Sequence, residues 1–162
     1  MKDPYVFDFI QIREEMVERD IEQALIKDVT KLLLELGTGF AFLGNQYHLN
    51  IGGEDFYVDL LFYNLNLRCY VVIELKTGEF KPEYVGQLNF YLSAIDGNLK
   101  TAQDNSTIGL LLCKNKNNIV AEYSLKDISK PIGVSEYKIT NNLPVELEKQ
   151  LPSIKDIQSR IK

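Results

Sequence analysis

The sequence predicts an α/β fold in which a mixed central sheet is flanked by helices. Three observations carry that expectation. A stretch of helical periodicity near the N-terminus is cut off by two glycines. Three strand-like segments then follow one another with only short links. After them come a proline-initiated helix and a short apolar run of the kind that forms a strand buried on both faces.

Residues 1–19 read as a lead-in or linker remnant and residues 20–162 as one domain, because no sustained periodicity begins before Ile21. Asp20 is a plausible N-cap, and Ile21, Leu25, Val29, Leu32 and Leu36 step by three or four until Gly37 and Gly39 stop the helix. Phe40 to Ile51 is the first strand, interrupted at Gly44 and closed by Gly52-Gly53. Glu54 to Asn64 alternates strictly, placing Phe56, Val58, Leu60 and Phe62 on one face. Arg68 to Leu75 is rich in β-branched and aromatic residues and reads as a central strand. Pro82 opens a second helix that Gly97 should end. Thr107 to Cys113 forms the next strand, 119–127 a helix and 134–139 a last strand. The tail from Pro144 to Lys162 looks helical with a break near Pro152. The order α-β-β-β-α-β implies an antiparallel meander that gains a parallel neighbour through a crossover helix.

At 162 residues the chain is long enough for one proper core. No apolar run approaches the roughly 20 residues a membrane helix needs, and residues 1–4 lack the layout of a signal peptide. Cys69 and Cys113 sit in apolar strand-like runs and read as buried small hydrophobes, neither a disulfide framework nor a zinc site. These points favour the cytoplasm. A net charge of −5 counts against a nucleic-acid binder that relies on a basic face. It leaves open one that gathers carboxylates around a cation, which reverses the local sign.

The chemistry concentrates in two strands. Asp59 is an acid in mid-strand, and Glu74 and Lys76 share a face two residues apart. If the turn between these strands centres between Asn66 and Leu67, Asp59 lies directly opposite Glu74, with Cβ atoms roughly 5 Å apart. Two carboxylates so placed repel each other, and a divalent cation such as Mg²⁺, which accepts one or two carboxylates plus water and phosphate oxygens, relieves that repulsion. Lys76 could then hold or deprotonate an attacking water. The alternative is a surface hairpin with an ordinary Glu–Lys pair, although Tyr70-Val71-Val72-Ile73 before Glu74 makes an unemployed charge costly there.

Asp59, a hairpin and then Glu74-Leu75-Lys76 resemble the PD-(D/E)xK nuclease superfamily, whose restriction-endonuclease-like core has the same αβββαβ order. More narrowly, residues 36–92 are similar to the C-terminal nuclease domain of the bacterial YhcG family. The segments that carry the likeness are Leu36-Gly37-Thr38-Gly39-Phe40-Ala41-Phe42, Asp59-Leu60-Leu61-Phe62-Tyr63, Glu74-Leu75-Lys76, Phe80-Lys81-Pro82 and Gly86-Gln87-Leu88-Asn89-Phe90-Tyr91-Leu92. The resemblance implies that Asp59, Glu74 and the backbone carbonyl of Leu75 ligate Mg²⁺ or Mn²⁺, and that Lys76 is the catalytic lysine. It adds Gln87 to the catalytic set and Tyr91 to the nucleic-acid contacts through the Gln-x-x-x-Tyr pattern of the RecB-like branch. It also suggests Glu22 as a further metal ligand, which reads equally as a solvated glutamate at a helix start. The residue before Asp59 is Val58 where many relatives have proline, which weakens the motif more than the chemistry. Family members usually carry an N-terminal helix-rich domain that this chain has no room for, and related nucleases often form homodimers.

Lys81 and Lys114, and also Lys116, sit near strand ends or a helix start and could reach phosphates, although isolated lysines are usually solvated surface. His48, the one histidine, reads as packing or surface. The expected function is metal-dependent hydrolysis of phosphodiester bonds in DNA, RNA not being excluded. The competing expectation is a catalytically inactive nuclease-like module used for nucleic-acid binding or assembly.

Overall fold

The structure, a computed structural model, describes residues 6–7 and 18–137. Its elements are β1 (Val6–Phe7), α1 (Glu18–Leu36), β2 (Phe40–Ile51), β3 (Glu54–Asn64), β4 (Cys69–Leu75), α2 (Pro82–Asn98), β5 (Ile108–Cys113), α3 (Asn118–Leu125) and β6 (Ile132–Tyr137). They form one six-stranded sheet in the order β1-β6-β5-β4-β3-β2. The β2–β3–β4 half is antiparallel, and the β4–β5, β5–β6 and β6–β1 pairings are parallel. The meander and its parallel extension are therefore as the sequence implies, and Val6–Phe7, within the lead-in, pair with Glu136 and Tyr137 at the far edge. The expected helical tail from Pro144 to Lys162 lies outside the described residues.

The core has two layers, one on each side of the sheet. Leu25, Val29 and Leu33 of α1 pack on Leu60, Phe62, Val71, Ile73 and Leu110. Val85, Leu88, Leu92 and Ile95 of α2 pack on Val58, Leu61, Val72 and Leu111, with Ala121 of α3 joining them. β4 and β5 are buried from both sides, which explains their near-continuous apolar sequences. The side chains of Leu32 and Leu36 in the predicted helical stripe lie outside the described residues. Cys69 and Cys113 are free thiols, 1% and 0% exposed on opposite layers, and burial pushes their pKa values up to about 11 and about 12. Among the described residues no helix is long and apolar enough to cross a membrane.

The β3–β4 turn is fixed from within. Asn64, 3% exposed, accepts the Asn66 and Leu67 N–H groups on its side-chain oxygen at 3.1 and 2.9 Å. Its amide nitrogen donates to the Thr38 carbonyl at 3.0 Å, so the turn is tied to the segment entering β2. Arg68 closes it with φ +52°, a left-handed conformation rare outside glycine and asparagine. The register that results pairs Leu60 with Ile73 and Asn64 with Cys69, as the turn position predicted.

Several expectations need correction. Asp20 does not cap the first helix: α1 begins at Glu18, so Asp20 lies within its first turn. Gly97 does not end the second helix: α2 runs to Asn98 and is closed by the Leu99 and Lys100 N–H groups on the Ile95 carbonyl. Burial of Ala94 and Ile95 against the sheet outweighs the roughly 1 kcal/mol that an interior glycine costs. The last strand begins at Ile132, two residues earlier than expected, because Ile132 pairs with Gly109. The apolar set of β3 also does not stay on one face. Leu60 and Phe62 pack toward α1, whereas Phe56 and Val58 pack toward α2. The change of side falls at Asp59, where the ladder with β4 stops.

At Gly109 the side chains of α2 come close to the sheet backbone: a Cβ there would meet Leu88 and Leu92 side-chain atoms at 3.1 Å. Gly109→Val should therefore lower unfolding stability by about 1–3 kcal/mol. Chemical denaturation of the two proteins measures this, and an unchanged midpoint would contradict the packing described.

Candidate active site

β3 and β4 run side by side as far as Leu60↔Ile73 and then part. Beyond that point side chains replace the backbone ladder. The Asp59 N–H donates to Glu74 Oε2 at 2.7 Å, and the Leu75 N–H donates to Asp59 Oδ2 at 2.8 Å. β4 meanwhile stays paired with β5 through Glu74↔Leu111 and Leu75↔Leu112, and the Lys76 N–H continues to the Leu112 carbonyl at 2.8 Å. The two acids are thus held on backbone at the fork, close together as the predicted register requires.

A third group fixes Asp59. Gln46 of β2 donates from Nε2 to Asp59 Oδ1 at 3.0 Å. The β2–β3 register slips between Phe42 and Gly44, and Gln46 adopts φ +49° just after the slip. A bulge of this kind re-aims nearby side chains.

Burial dominates the electrostatics. Glu74 is 4% exposed, and its pKa is pushed up to about 8 by desolvation first and by the Asp59 charge second. The Asp59 N–H and the Lys76 ammonium oppose that rise, and the Glu22 carboxylate adds to it. Asp59 is also raised by burial, against the hydrogen bonds from Leu75 and Gln46 and the charge of Lys76. The acids therefore sit in an environment short of positive charge.

Lys76 is held on the opposite wall. Its Nζ donates to Gln87 Oε1 at 3.2 Å and lies 4.5 Å from the Tyr84 ring centroid, a cation–π distance. Gln87 Nε2 donates to the Tyr91 hydroxyl at 3.2 Å, while the Tyr137 hydroxyl donates to the Lys76 carbonyl at 3.1 Å. An open cleft of about 550 Å³ runs between the N-terminal part of α1 and the start of α2, walled by Glu22, Asp59, Lys76, Lys81 and Tyr84 among others.

The structure thus brings Asp59 and Glu74 together through backbone amides, holds Lys76 and Gln87 together beside them, and places Glu22, Leu75 and Lys81 at the cleft with Asp59 and Lys76. Tyr91, expected as a nucleic-acid contact, is 6% exposed beside Phe56 and Phe90, and its hydroxyl accepts a hydrogen bond from Gln87. Lys114 is exposed, donates its N–H to the Gly78 carbonyl and is not part of the cleft wall. Lys116 reaches Asn118 and Glu136, and His48 bonds Asp55 at 2.7 Å beside Tyr57. Gln46, Tyr84 and Tyr137 were not singled out from the sequence, and no local pattern marks them. Among the described residues no three His, Cys, Asp or Glu side chains converge as a metal cluster. Two carboxylates remain, with the Leu75 peptide group at the cleft wall, a donor set suited to a cation that keeps most of its water.

A family model described as "YhcG PDDEXK nuclease domain" matches residues 1–152. The Escherichia coli (strain K12) protein named "Putative nuclease YhcG" is 39% identical over 139 residues, covering 86% of this chain and 37% of that relative. The chain therefore spans little more than a third of the relative's length. The solved structure titled "Structure of EndoMS-dsDNA2 complex" superimposes with a TM-score of 0.50 at 16% identity, covering 82% of this chain and 50% of that one. A repair endonuclease from Pyrococcus abyssi gives 0.49 at 14% identity, covering 80% and 50%. At such identities the likeness concerns the fold, which is restriction-endonuclease-like.

The raised pKa of Glu74 has a consequence for stability. Its ordinary value is 4.5 and its folded value about 8, so the folded chain retains a proton that the unfolded chain has lost across that interval. The contribution of Glu74 to stability without metal is fullest below pH 4.5 and falls as the pH rises toward 8. Glu74→Gln keeps an acceptor for the Asp59 N–H and removes the charge, so it should stabilise the metal-free chain by at least about 1 kcal/mol at pH 8 and by little near pH 4. Thermal melts in chelator at the two pH values read the difference, and an equal effect at both would contradict the burial argument.

Proposed function

The chain belongs to the YhcG PDDEXK nuclease domain family, and we propose that it hydrolyses phosphodiester bonds in DNA with Mg²⁺ or Mn²⁺ held by Asp59 and Glu74. The observation that carries this reading is the fork between β3 and β4. A buried acid, Glu74, and a half-buried one, Asp59, hang there on backbone amides, beside a lysine fixed by Gln87. A structural pair in that position would be better served by apolar side chains.

The residues fit the ion. Asp59 and Glu74 supply hard oxygen donors, the Leu75 carbonyl is adjacent, and Glu22 stands across the cleft as a further carboxylate. Bound there, the cation would polarise the scissile phosphate and lower the pKa of the attacking water. The chain's own groups do the positioning. Gln46 and the Leu75 N–H hold both oxygens of Asp59 in place. Gln87 and the Tyr84 ring hold the Lys76 ammonium where it orients the water and offsets negative charge growing on the phosphate. Lys81, at the N-cap of α2 and on the cleft wall, provides a phosphate contact.

DNA as substrate class draws support from the shared fold with EndoMS, whose solved structure is a complex with double-stranded DNA. Val6–Phe7 add a strand at the sheet edge farthest from the cleft. Longer relatives carry further sequence that would add substrate or partner contacts. One cleft cuts one strand, so severing a duplex calls for two copies or two events.

Asp59→Ala and Lys76→Ala should each reduce Mg²⁺- or Mn²⁺-dependent cleavage of labelled DNA by at least about 100-fold, with the circular-dichroism spectrum retained. Chelator should silence the wild type. Full activity in both variants would overturn the assignment of the site.

A further inference from the structure

The outer half of the β2–β3 hairpin holds an organised surface that the cleavage reaction does not use. His48 pairs with Tyr57 and Asn50 with Asp55, two and four residues beyond Asp59 along β3 toward the Gly52-Gly53 turn. Tyr47, Leu49, Phe56 and Val58 pack toward α2, so His48 and Tyr57 stand on the opposite, open face of the ribbon. Tyr57 is 50% exposed. Its ring and that of His48 lie 5.1 Å apart, tilted by 32° to each other. The imidazole is pinned by Asp55 at 2.7 Å, and Asp55 is held in turn by Asn50 at 3.2 Å. An exposed aromatic pair is thereby fixed in place before any ligand arrives, which lowers the ordering cost of binding.

We propose that the Tyr57–His48 pair is a stacking subsite for an unpaired nucleobase next to the phosphate being cut, which makes DNA with single-stranded or splayed nucleotides the preferred substrate. The inference rests on the nuclease reading for its orientation. Two observations carry it. Tyr57 lies two residues from Asp59, about 7 Å along the strand, which is about two nucleotide steps of ~3.4 Å. The chain also carries a net charge of −5, and Lys76 and Lys81 are the lysines at the cleft wall. Phosphate contacts alone supply little affinity there, whereas base stacking on an aromatic ring is independent of net charge and of sequence. A paired base inside a duplex offers no free face, so the subsite discriminates against intact duplex.

The test is fluorescence anisotropy in chelator, with a labelled single-stranded 12-mer and the matching blunt duplex as probes, on the wild type, Tyr57→Ala, Tyr57→Phe and the control Tyr123→Ala. The expected result is tighter binding of the single strand, weakened about 5- to 100-fold by Tyr57→Ala, preserved by Tyr57→Phe and by Tyr123→Ala, with duplex affinity changed less than about twofold. Melting temperatures confirm that the variants fold. Unchanged single-strand affinity in Tyr57→Ala, an equal loss on both probes, or a wild type that binds no single strand would overturn the proposal. Binding is read without turnover, so an inactive chain that still shows the Tyr57 dependence would refute the nuclease reading and leave the subsite standing.

Discussion

The site depends on a substitution in the sheet: where β3 and β4 part, carboxylates do the work of carbonyls. The Asp59 amide bonds to a side chain of β4, and the Leu75 amide bonds to a side chain of β3. Each acid is therefore oriented by the other strand's backbone and not by a flexible neighbour. This arrangement needs burial, because an amide exposed to water would gain little from a carboxylate. Burial in turn raises the free energy of both charges. The same geometry that makes the acids rigid makes them poor anions until a cation or a proton arrives, which links the local fold to the chemistry proposed for it.

What keeps the fork in place lies at the other end of the hairpin. Asn64 and the left-handed Arg68 set the turn, and a shift of one residue there would flip Asp59 to the opposite face. α2 supplies the remaining wall: its packing on β4 and β5 brings Gln87 beside Lys76 and Tyr84 over it. Among the described residues, the site thus draws on β2, β3, β4, α1 and α2, with Tyr137 of β6 touching the Lys76 backbone from beneath.

Much of this was legible in the sequence, for identifiable reasons. Hydrophobic period, glycine stops and Pro82 fixed the order of elements because each is a local effect. Turn length set the hairpin register that the ladder follows from Asn64↔Cys69 to Leu60↔Ile73, and so brought Asp59 near Glu74, although the two are joined through backbone amides and not as a pair within the ladder. Helical spacing put Gln87 and Tyr91 on one face. Gln46, Tyr84 and Tyr137 escaped notice because their contacts span between 8 and 61 residues of sequence. The failure in β3 is instructive: alternation assumes a continuous ladder, and the ladder with β4 ends at Leu60, one residue short of Asp59. The burial of Tyr91 and the position of Lys114 away from the cleft wall could not be read from residue type, which says what a side chain can contact and not how exposed or how near it is.

The irregularity near Gly44 also bears on self-association. β2 is a 12-residue strand at the outer edge of the sheet, and a flat edge of that length is a template for another chain to add a strand. The slip at Gly44 and the left-handed Gln46 divide it into two short runs in different register. An incoming strand can match one run but not both. The distortion that aims Gln46 at Asp59 therefore also serves as a guard against edge-to-edge aggregation, and straightening it would expose the protein to that fate.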